Sequence, residues 1–196
     1  GNLSPPLSLE HKSFRSLHFS VNPTYGAQVV GRGYHIALDR ENAKRVFAQK
    51  DDENLRRLLD ELKSSPEVKK SGRLLDLGTT WDPIHRCLTE GELDPTGGDF
   101  PLNTAILGGK KLHQGDDYAA MLIRPDMNIF IAEALGEVDE MEFRAKFFAL
   151  NTESFKGPIN DKAFVEIWLY LQKLKVFFEE SAENLEAVIF TASYQG

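Results

Sequence analysis

Residues 73–91 read RLLDLGTTWDPIHRCLTEG, a stretch that combines a tryptophan, a histidine, several charged groups and the only cysteine of the chain. A proline is harmless in the first turn of a helix, because the N–H groups of that turn have no partner within the helix. Pro83 therefore predicts a helix that starts after Thr79 or Thr80 as its N-cap. The helix is expected to end near Gly91, because glycine suits the C′ position.

The segment before this stretch carries one strand signal and two helix signals. Val29 to Leu38 holds apolar or aromatic residues at alternate positions, which predicts a strand. Asp39 is a suitable N-cap for a following helix. Leucines at helical spacing between Leu55 and Leu62 predict a second amphipathic helix, which must end before Pro66. Residues 67–72 are expected to form a charged connection.

The segment after residue 91 predicts more helices than strands. Expected elements are a short helix over 101–107, a strand over 118–124, a helix over 125–136, a helix started by Asp139, a long helix capped by Asp161, and a last strand over 187–192. This scattered order indicates an α+β fold with a small mixed or antiparallel sheet. We expect residues 1–30 to form an irregular N-terminal arm and residues 31–196 to form a single compact domain.

The composition narrows the class of protein. The chain has 196 residues, with 23 basic against 30 acidic side chains, so its net charge is −7. An acidic chain is a poor binder of nucleic acid, because that affinity comes from basic side chains that displace counterions. One cysteine forms no internal disulfide, and we find no apolar run of about 18 residues that would predict a membrane span. We expect a cytoplasmic protein, with a removed N-terminal signal left open because the chain starts at Gly1 without methionine.

Motifs for cofactors and metals are incomplete. Gly31 and Gly33 begin a dinucleotide-like pattern, but Ile36 stands where the third glycine belongs. Gly108 to Lys111 lacks the earlier glycine and the hydroxyl residue of a phosphate loop. The histidines show none of the paired spacings of zinc ligands. The sequence therefore predicts no cofactor and no metal site.

The strongest candidate for a site is the predicted helix after Thr80. Trp81 and His85 are four residues apart and share one face of it, while Asp82 and Arg86 have the spacing of an ion pair beside that face. One interpretation is that His85 lies at the mouth of a cleft, oriented by a carboxylate such as Asp76, and transfers protons or binds an anion. The other interpretation, which we favour, is a half-buried histidine whose ring nitrogens are satisfied by the backbone.

Two further observations concern reactive or charged groups. Cys87 lies on an apolar side of the same helix, where a free cysteine is usually inert packing. Asp117 and Tyr118 stand at the entry of a predicted strand, where carboxylates either line a site or only solubilise a turn. The candidate binding residues are Asp76, Trp81, His85, Asp117 and Tyr118.

These motifs resemble those of the YfbM-like bacterial proteins. The matching pieces are Leu75-Asp76-Leu77, Trp81-Asp82, Ile84-His85 and Leu88-Thr89, and the resemblance continues in order over roughly residues 31–192. The chain departs from the family pattern at two places. Gly78-Thr79 stands where the family usually has Asp-Lys, and Glu90 is inserted between Leu88-Thr89 and the glycine that follows this pair in the family. The resemblance implies a compact, bacterial, cytoplasmic α and β domain of unknown function, with no activity to carry over.

Two hypotheses for the function follow. The first, which we prefer, is a non-catalytic domain that binds a small molecule or a protein near Trp81 and His85. The alternative is a hydrolase or transferase that uses His85 as general base, with Asp76 or Asp117 as the orienting carboxylate. The alternative requires His85 to lie in a solvent-accessible cleft within hydrogen-bond reach of such a carboxylate.

Overall fold

The structure is a computed structural model, and it describes residues 30–194. Most of the arm expected over residues 1–30 therefore lies outside the described residues. The strands of the described part are β1 (Gly33–Leu38), β2 (Leu74–Gly78), β3 (Lys110–Lys111), β4 (Tyr118–Ile123) and β5 (Ala187–Ser193). Its α-helices are α1 (Arg40–Phe47), α2 (Asp52–Ser64), α3 (Pro66–Lys70), α4 (Trp81–Leu88), α5 (Asn128–Gly136), α6 (Glu140–Phe148) and α7 (Asp161–Glu183). Short 3₁₀ turns cover Leu102–Ala105 and Pro125–Met127.

The strands form one open sheet in the order β2-β1-β5-β4-β3. Every pair of neighbours in this sheet is antiparallel. The central strand β5 places Thr191 opposite Tyr34 of β1 on one side and opposite Ala120 of β4 on the other. The long helix α7 leads directly into this central strand.

Helices cover both faces of the sheet. Successive side chains of a strand point to opposite faces, so β5 sends Phe190 to one core and Ile189 to the other. Helices α4 to α7 pack over the face of Phe190, and α1 to α3 pack over the face of Ile189. All six residues of β4 are buried, as expected for a strand covered on both sides.

The predicted α+β fold, with one antiparallel sheet and a long C-terminal helix before a last strand, is confirmed. Asp39 caps α1 as predicted, since its side chain accepts from the Asn42 N–H. Asp139 caps α6 in the same way through the Glu142 N–H.

The local predictions for α3 and for the start of α7 are wrong. Residues 67–72 are not only a connection, because Pro66 starts the short helix α3 and the Ser65 side chain accepts from the Val68 N–H. The same proline that ends α2 thus opens α3. The N-cap of α7 is Asn160 instead of Asp161, because the Asn160 side chain accepts from the Ala163 N–H at 2.8 Å.

Candidate functional site

The helix α4 begins where the sequence places it. Gly78 ends β2 with φ +57, a backbone conformation that disfavours other residues. The Thr80 hydroxyl then donates to the Leu77 carbonyl at 2.6 Å, and α4 starts at Trp81 with Pro83 in its first turn. The helix ends at Leu88 with Thr89 as its C-cap, so the prediction that Gly91 is the C′ residue is wrong by one position.

Trp81 is a structural anchor at the base of α4. Its side chain is fully buried, its ring lies 5.4 Å from that of Phe190, and its indole N–H donates to the Gly31 carbonyl at 2.8 Å. Gly33 leaves the space that the indole fills, because a Cβ there would lie 2.4 Å from Trp81 Cδ1. Trp81 therefore ties α4 to the start of β1 and does not face solvent.

His85 is also sealed in the core. Its ring is fully buried, and Nε2 lies 2.8 Å from the Asp94 carbonyl oxygen, so Nε2 must carry the hydrogen. Burial lowers the pKa of His85 to about 4, which makes the ring neutral near pH 7. Within the described residues, no carboxylate side chain hydrogen-bonds to it. The expected half-buried histidine with both ring nitrogens bonded to the backbone is also wrong, because the ring is fully buried and Nδ1 has no hydrogen-bond partner in the described part of the chain. His85 thus lacks the accessible cleft and the carboxylate partner that the catalytic alternative requires.

The other three predicted site residues lie on the opposite face of the sheet. Asp76 stands opposite Tyr34 in the strand register and accepts a hydrogen bond from Arg32 at 2.8 Å. Asp117 pairs with Arg56 at 3.2 Å, and the guanidinium of Arg56 lies 4.6 Å above the ring centre of Tyr118. Tyr118 belongs to the core under α1 to α3, whereas Trp81 belongs to the other core. The five predicted residues therefore form no common site.

A concave site does exist beside the first turn of α4. We call it the α4 pocket, a cavity of about 280 Å³ between this turn, the loop that joins α6 to α7, and the first two turns of α7. Its lining consists of Val30, Thr79, Thr80, Asp82, Pro83, Ser154, Phe155, Lys156, Gly157, Pro158, Ala163, Glu166 and Ile167.

Asp82, which lines the α4 pocket, belongs to a buried ion pair. Asp82 and Arg86 are 7% and 2% exposed, and Arg86 Nε donates to Asp82 Oδ1 at 2.6 Å. The guanidinium also donates to the Ser154 hydroxyl at 3.1 Å and to the carbonyls of Ser154 and Gly91, and it lies 5.6 Å from the ring centre of Phe155. The spacing of Asp82 and Arg86 in the sequence predicts this pair.

One oxygen of the Asp82 carboxylate has no hydrogen-bond partner among the described residues. Its Oδ1 takes the hydrogen bond from Arg86, whereas Oδ2 takes none from the described residues. Burial raises the pKa of Asp82, and the charge of Arg86 opposes that rise. Because Asp82 lines the pocket and its Oδ2 is not sealed from solvent, this oxygen can accept a hydrogen bond from a bound molecule.

The sequence does not predict that the loop between α6 and α7 lines the α4 pocket. Ser154 and Phe155 lie 68 and 69 positions from Arg86, in a segment without helical or strand periodicity. The signals present were Asn151, whose side chain accepts from the Glu153 N–H in a local turn, and the Gly157-Pro158 pair. These signals predict a loop, but they do not say which helix the loop touches.

The structure offers little support for metal or thiol chemistry in residues 30–194. No group of three or more histidine, cysteine or acidic side chains in this range is placed to hold a metal ion. Burial raises the pKa of the Cys87 thiol to about 12, so the thiolate is scarce near neutral pH. No helix among these residues is long and apolar enough to cross a membrane.

Comparisons with known proteins identify the family. The structure is similar to the crystal structure of YfbM from Escherichia coli, a protein of unknown function, with a TM-score of 0.64 and 23% sequence identity. The match covers 82% of this chain and 99% of YfbM. No curated protein matches the chain significantly. Residues 31–191 match the family described as a domain of unknown function, DUF1877. The chain therefore belongs to this family, and YfbM shares its fold.

Proposed function

We propose that this protein is a binding domain whose ligand is a small molecule held in the α4 pocket. The observation that carries the proposal is Asp82 Oδ2, a carboxylate oxygen in the pocket wall that takes no hydrogen bond from the described residues. Oδ2 is not one of the buried polar atoms that lack a partner, so it is accessible, and a donor group of a ligand in the pocket can replace water there.

The walls of the pocket favour a compact ligand with an apolar body. Pro83, Phe155 and Ile167 supply apolar surface, while Asp82 supplies one fixed acceptor. Small-molecule sites usually combine apolar walls with a few polar groups. The volume of about 280 Å³ lies just below their usual range of about 300–1,000 Å³. Metabolite-sized molecules fit this description better than large cofactors.

The ion pair indicates which polar group the ligand should carry. Arg86 already neutralises Asp82, so a second full positive charge is not required at Oδ2. A hydroxyl, amide or amine N–H can donate there without bringing an unpaired charge into the pocket. We therefore propose a neutral hydrogen-bond donor as the recognised group.

The predicted residues Trp81 and His85 support this site indirectly, because they fix α4 in the core and so fix Asp82 at the pocket wall. From the family resemblance we also propose a bacterial source and a cytoplasmic location. The division into an arm over residues 1–30 and one domain over residues 31–196 is likewise proposed.

A pair of variants on α7 tests the site. Ala163 lines the α4 pocket, whereas Val165 is exposed on the same helix and does not line it. We expect a metabolite library, followed by amide NMR shifts, to yield a ligand whose shifts cluster around Asp82 and Phe155. Ala163→Leu should lower the affinity for that ligand at least about tenfold, because the larger side chain fills the pocket. Val165→Leu should leave the affinity unchanged. Absence of any ligand, or a ligand indifferent to Ala163→Leu, would refute the proposal.

A further inference from the structure

A larger concavity lies where three strands meet. We call it the β5 groove, an opening of about 590 Å³ at the ends of β1 and β4 and the start of β5. Its floor includes the buried apolar residues Leu38, Leu122 and Ala187. The groove shares no lining residue with the α4 pocket, so it is an independent site.

Leu185 at the rim of the β5 groove is placed unfavourably in two respects. It occupies the C′ position after α7, where the Leu185 N–H donates to the Ala182 carbonyl and the Glu186 N–H donates to the Ser181 carbonyl. Its φ is +53, a conformation in which glycine or asparagine is preferred. Its side chain is 79% exposed, so no burial offsets this strain. A strained residue without structural benefit points to a contact outside the fold.

Phe47 provides a second exposed apolar group on the same groove. It is the last residue of α1, it lines the groove, and it is 61% exposed. Single exposed apolar residues are ordinary on protein surfaces, but two large ones at the rim of a concave apolar floor indicate a binding surface. An apolar side chain inserted between Phe47 and Leu185 would cover both.

The charges of the β5 groove favour an acidic occupant. Its lining has three arginines against two acidic residues, Asp39 and Glu186, in a chain whose net charge is −7. Arg73 is held by Glu186 through bonds of 2.7 and 3.2 Å, and Arg124 pairs with Asp126 at the surface. Arg40 makes no hydrogen bond or ion pair with the described residues, so its guanidinium is available to a carboxylate.

We propose that the β5 groove binds an acidic peptide segment of a partner protein. The segment places one large apolar side chain between Phe47 and Leu185 and a carboxylate beside Arg40. The apolar contact supplies burial, and Arg40 selects for an acidic neighbour of the anchor. The proposal does not depend on a ligand in the α4 pocket.

The first part of the test uses an array of twelve-residue peptides. One set carries a central leucine or phenylalanine flanked by glutamates, a second set replaces the glutamates by lysines, and a third replaces the anchor by serine. We expect the whole protein to bind only the first set. Equal binding to acidic and basic sets, or no binding at protein concentrations up to about 1 mM, would overturn the proposal.

The second part locates the site by fluorescence anisotropy with the tightest labelled acidic peptide. Leu185→Gly and Arg40→Glu should each lower the affinity for this peptide at least about tenfold. The control Leu169→Ala removes an exposed leucine of α7 outside the groove and should leave the affinity unchanged. Arg40→Glu should also improve binding of a peptide in which one glutamate is replaced by lysine. Binding that survives Leu185→Gly overturns the proposal. Self-association that is lost in Leu185→Gly also overturns it, because a second copy would then fill the groove.

Discussion

Arg86 donates to Asp82 across one turn of α4 at 2.6 Å, with both side chains almost completely withdrawn from water. Removing either charge from water costs free energy, and the attraction between the two side chains offsets that cost only while both are present. In this protein the pair also fixes the loop over the α4 pocket, through the bonds from Arg86 to Ser154. The stability of the fold and the shape of the candidate site are thus coupled at one residue.

Loss of Arg86 should be severe. Arg86→Met keeps much of the side-chain volume but leaves the Asp82 carboxylate without its partner, so we expect about 3–5 kcal/mol of destabilisation in urea unfolding. The matched control is Arg57→Met, which breaks the exposed pair with Glu53 at the same spacing in α2. That change should cost less than about 1 kcal/mol. Equal costs for the two variants would contradict the role given to the buried pair.

Gly33→Ala should disturb the junction between β1 and α4. A Cβ at this position would lie 2.4 Å from Trp81 Cδ1 and 3.0 Å from a ring carbon of Phe190, and both rings are buried and cannot move aside cheaply. Overpacking of this kind costs typically about 1–3 kcal/mol. Gly97→Ala is the control, because its Cβ would meet only ordinary contacts at 3.7 Å or more. Thermal unfolding followed by circular dichroism should show a lowered midpoint for Gly33→Ala alone.

The sequence predicts the elements better than their relative positions. Periodicity and capping residues locate most helices, Pro83 locates the start of α4, and spacing predicts the pair of Asp82 and Arg86. What the sequence does not show is the face of the sheet to which each side chain belongs. Asp76 and His85 are only nine positions apart, yet one lies on the face of α1 to α3 and the other in the core under α4.

The candidate site was harder to predict for a related reason. A cleft is built from segments that are distant in the chain, and Phe155 reaches the wall of α4 only through the packing of α6 and α7. The sequence favours Trp81 and His85 as site residues, because tryptophan and histidine often bind ligands. Here their size and their single backbone hydrogen bonds make them core anchors, and the more ordinary Asp82 beside them faces the pocket.

Acid should weaken the fold through two buried histidines. Burial lowers the pKa of both His35 and His85 to about 4, whereas an unfolded histidine has a pKa near 6.5. Between these values the unfolded chain binds more protons than the folded one, so stability falls as the pH is lowered from about 6.5 toward 4. Each histidine should cost about 1.4 kcal/mol per pH unit over most of that window.

Histidine NMR signals provide the direct measurement for this prediction. The imidazole resonances of His35 and His85 should stay constant from pH 8 to about 5, while urea unfolding shows the stability falling below pH 6.5. His35 has its Nε2 bonded to the Ala105 carbonyl at 2.7 Å and three phenylalanine rings around it, which supports the same neutral state. A midpoint near 6.5 for either ring would show that it reaches solvent and would contradict its burial.

Leu185→Gly should stabilise the protein, although it removes a large apolar side chain. Leu185 has φ +53 and is mostly exposed, so glycine relieves the strain and forfeits little burial. The gain is reduced by the greater freedom of glycine in the unfolded chain, and we expect a net gain of about 0.5–1 kcal/mol. The same substitution at Leu169, exposed in the interior of α7, should instead cost about 1 kcal/mol. Urea unfolding of the two variants measures the change in the free energy of unfolding, which should be positive for Leu185→Gly and negative for Leu169→Gly. Destabilisation by Leu185→Gly would show that the leucine side chain stabilises the isolated fold.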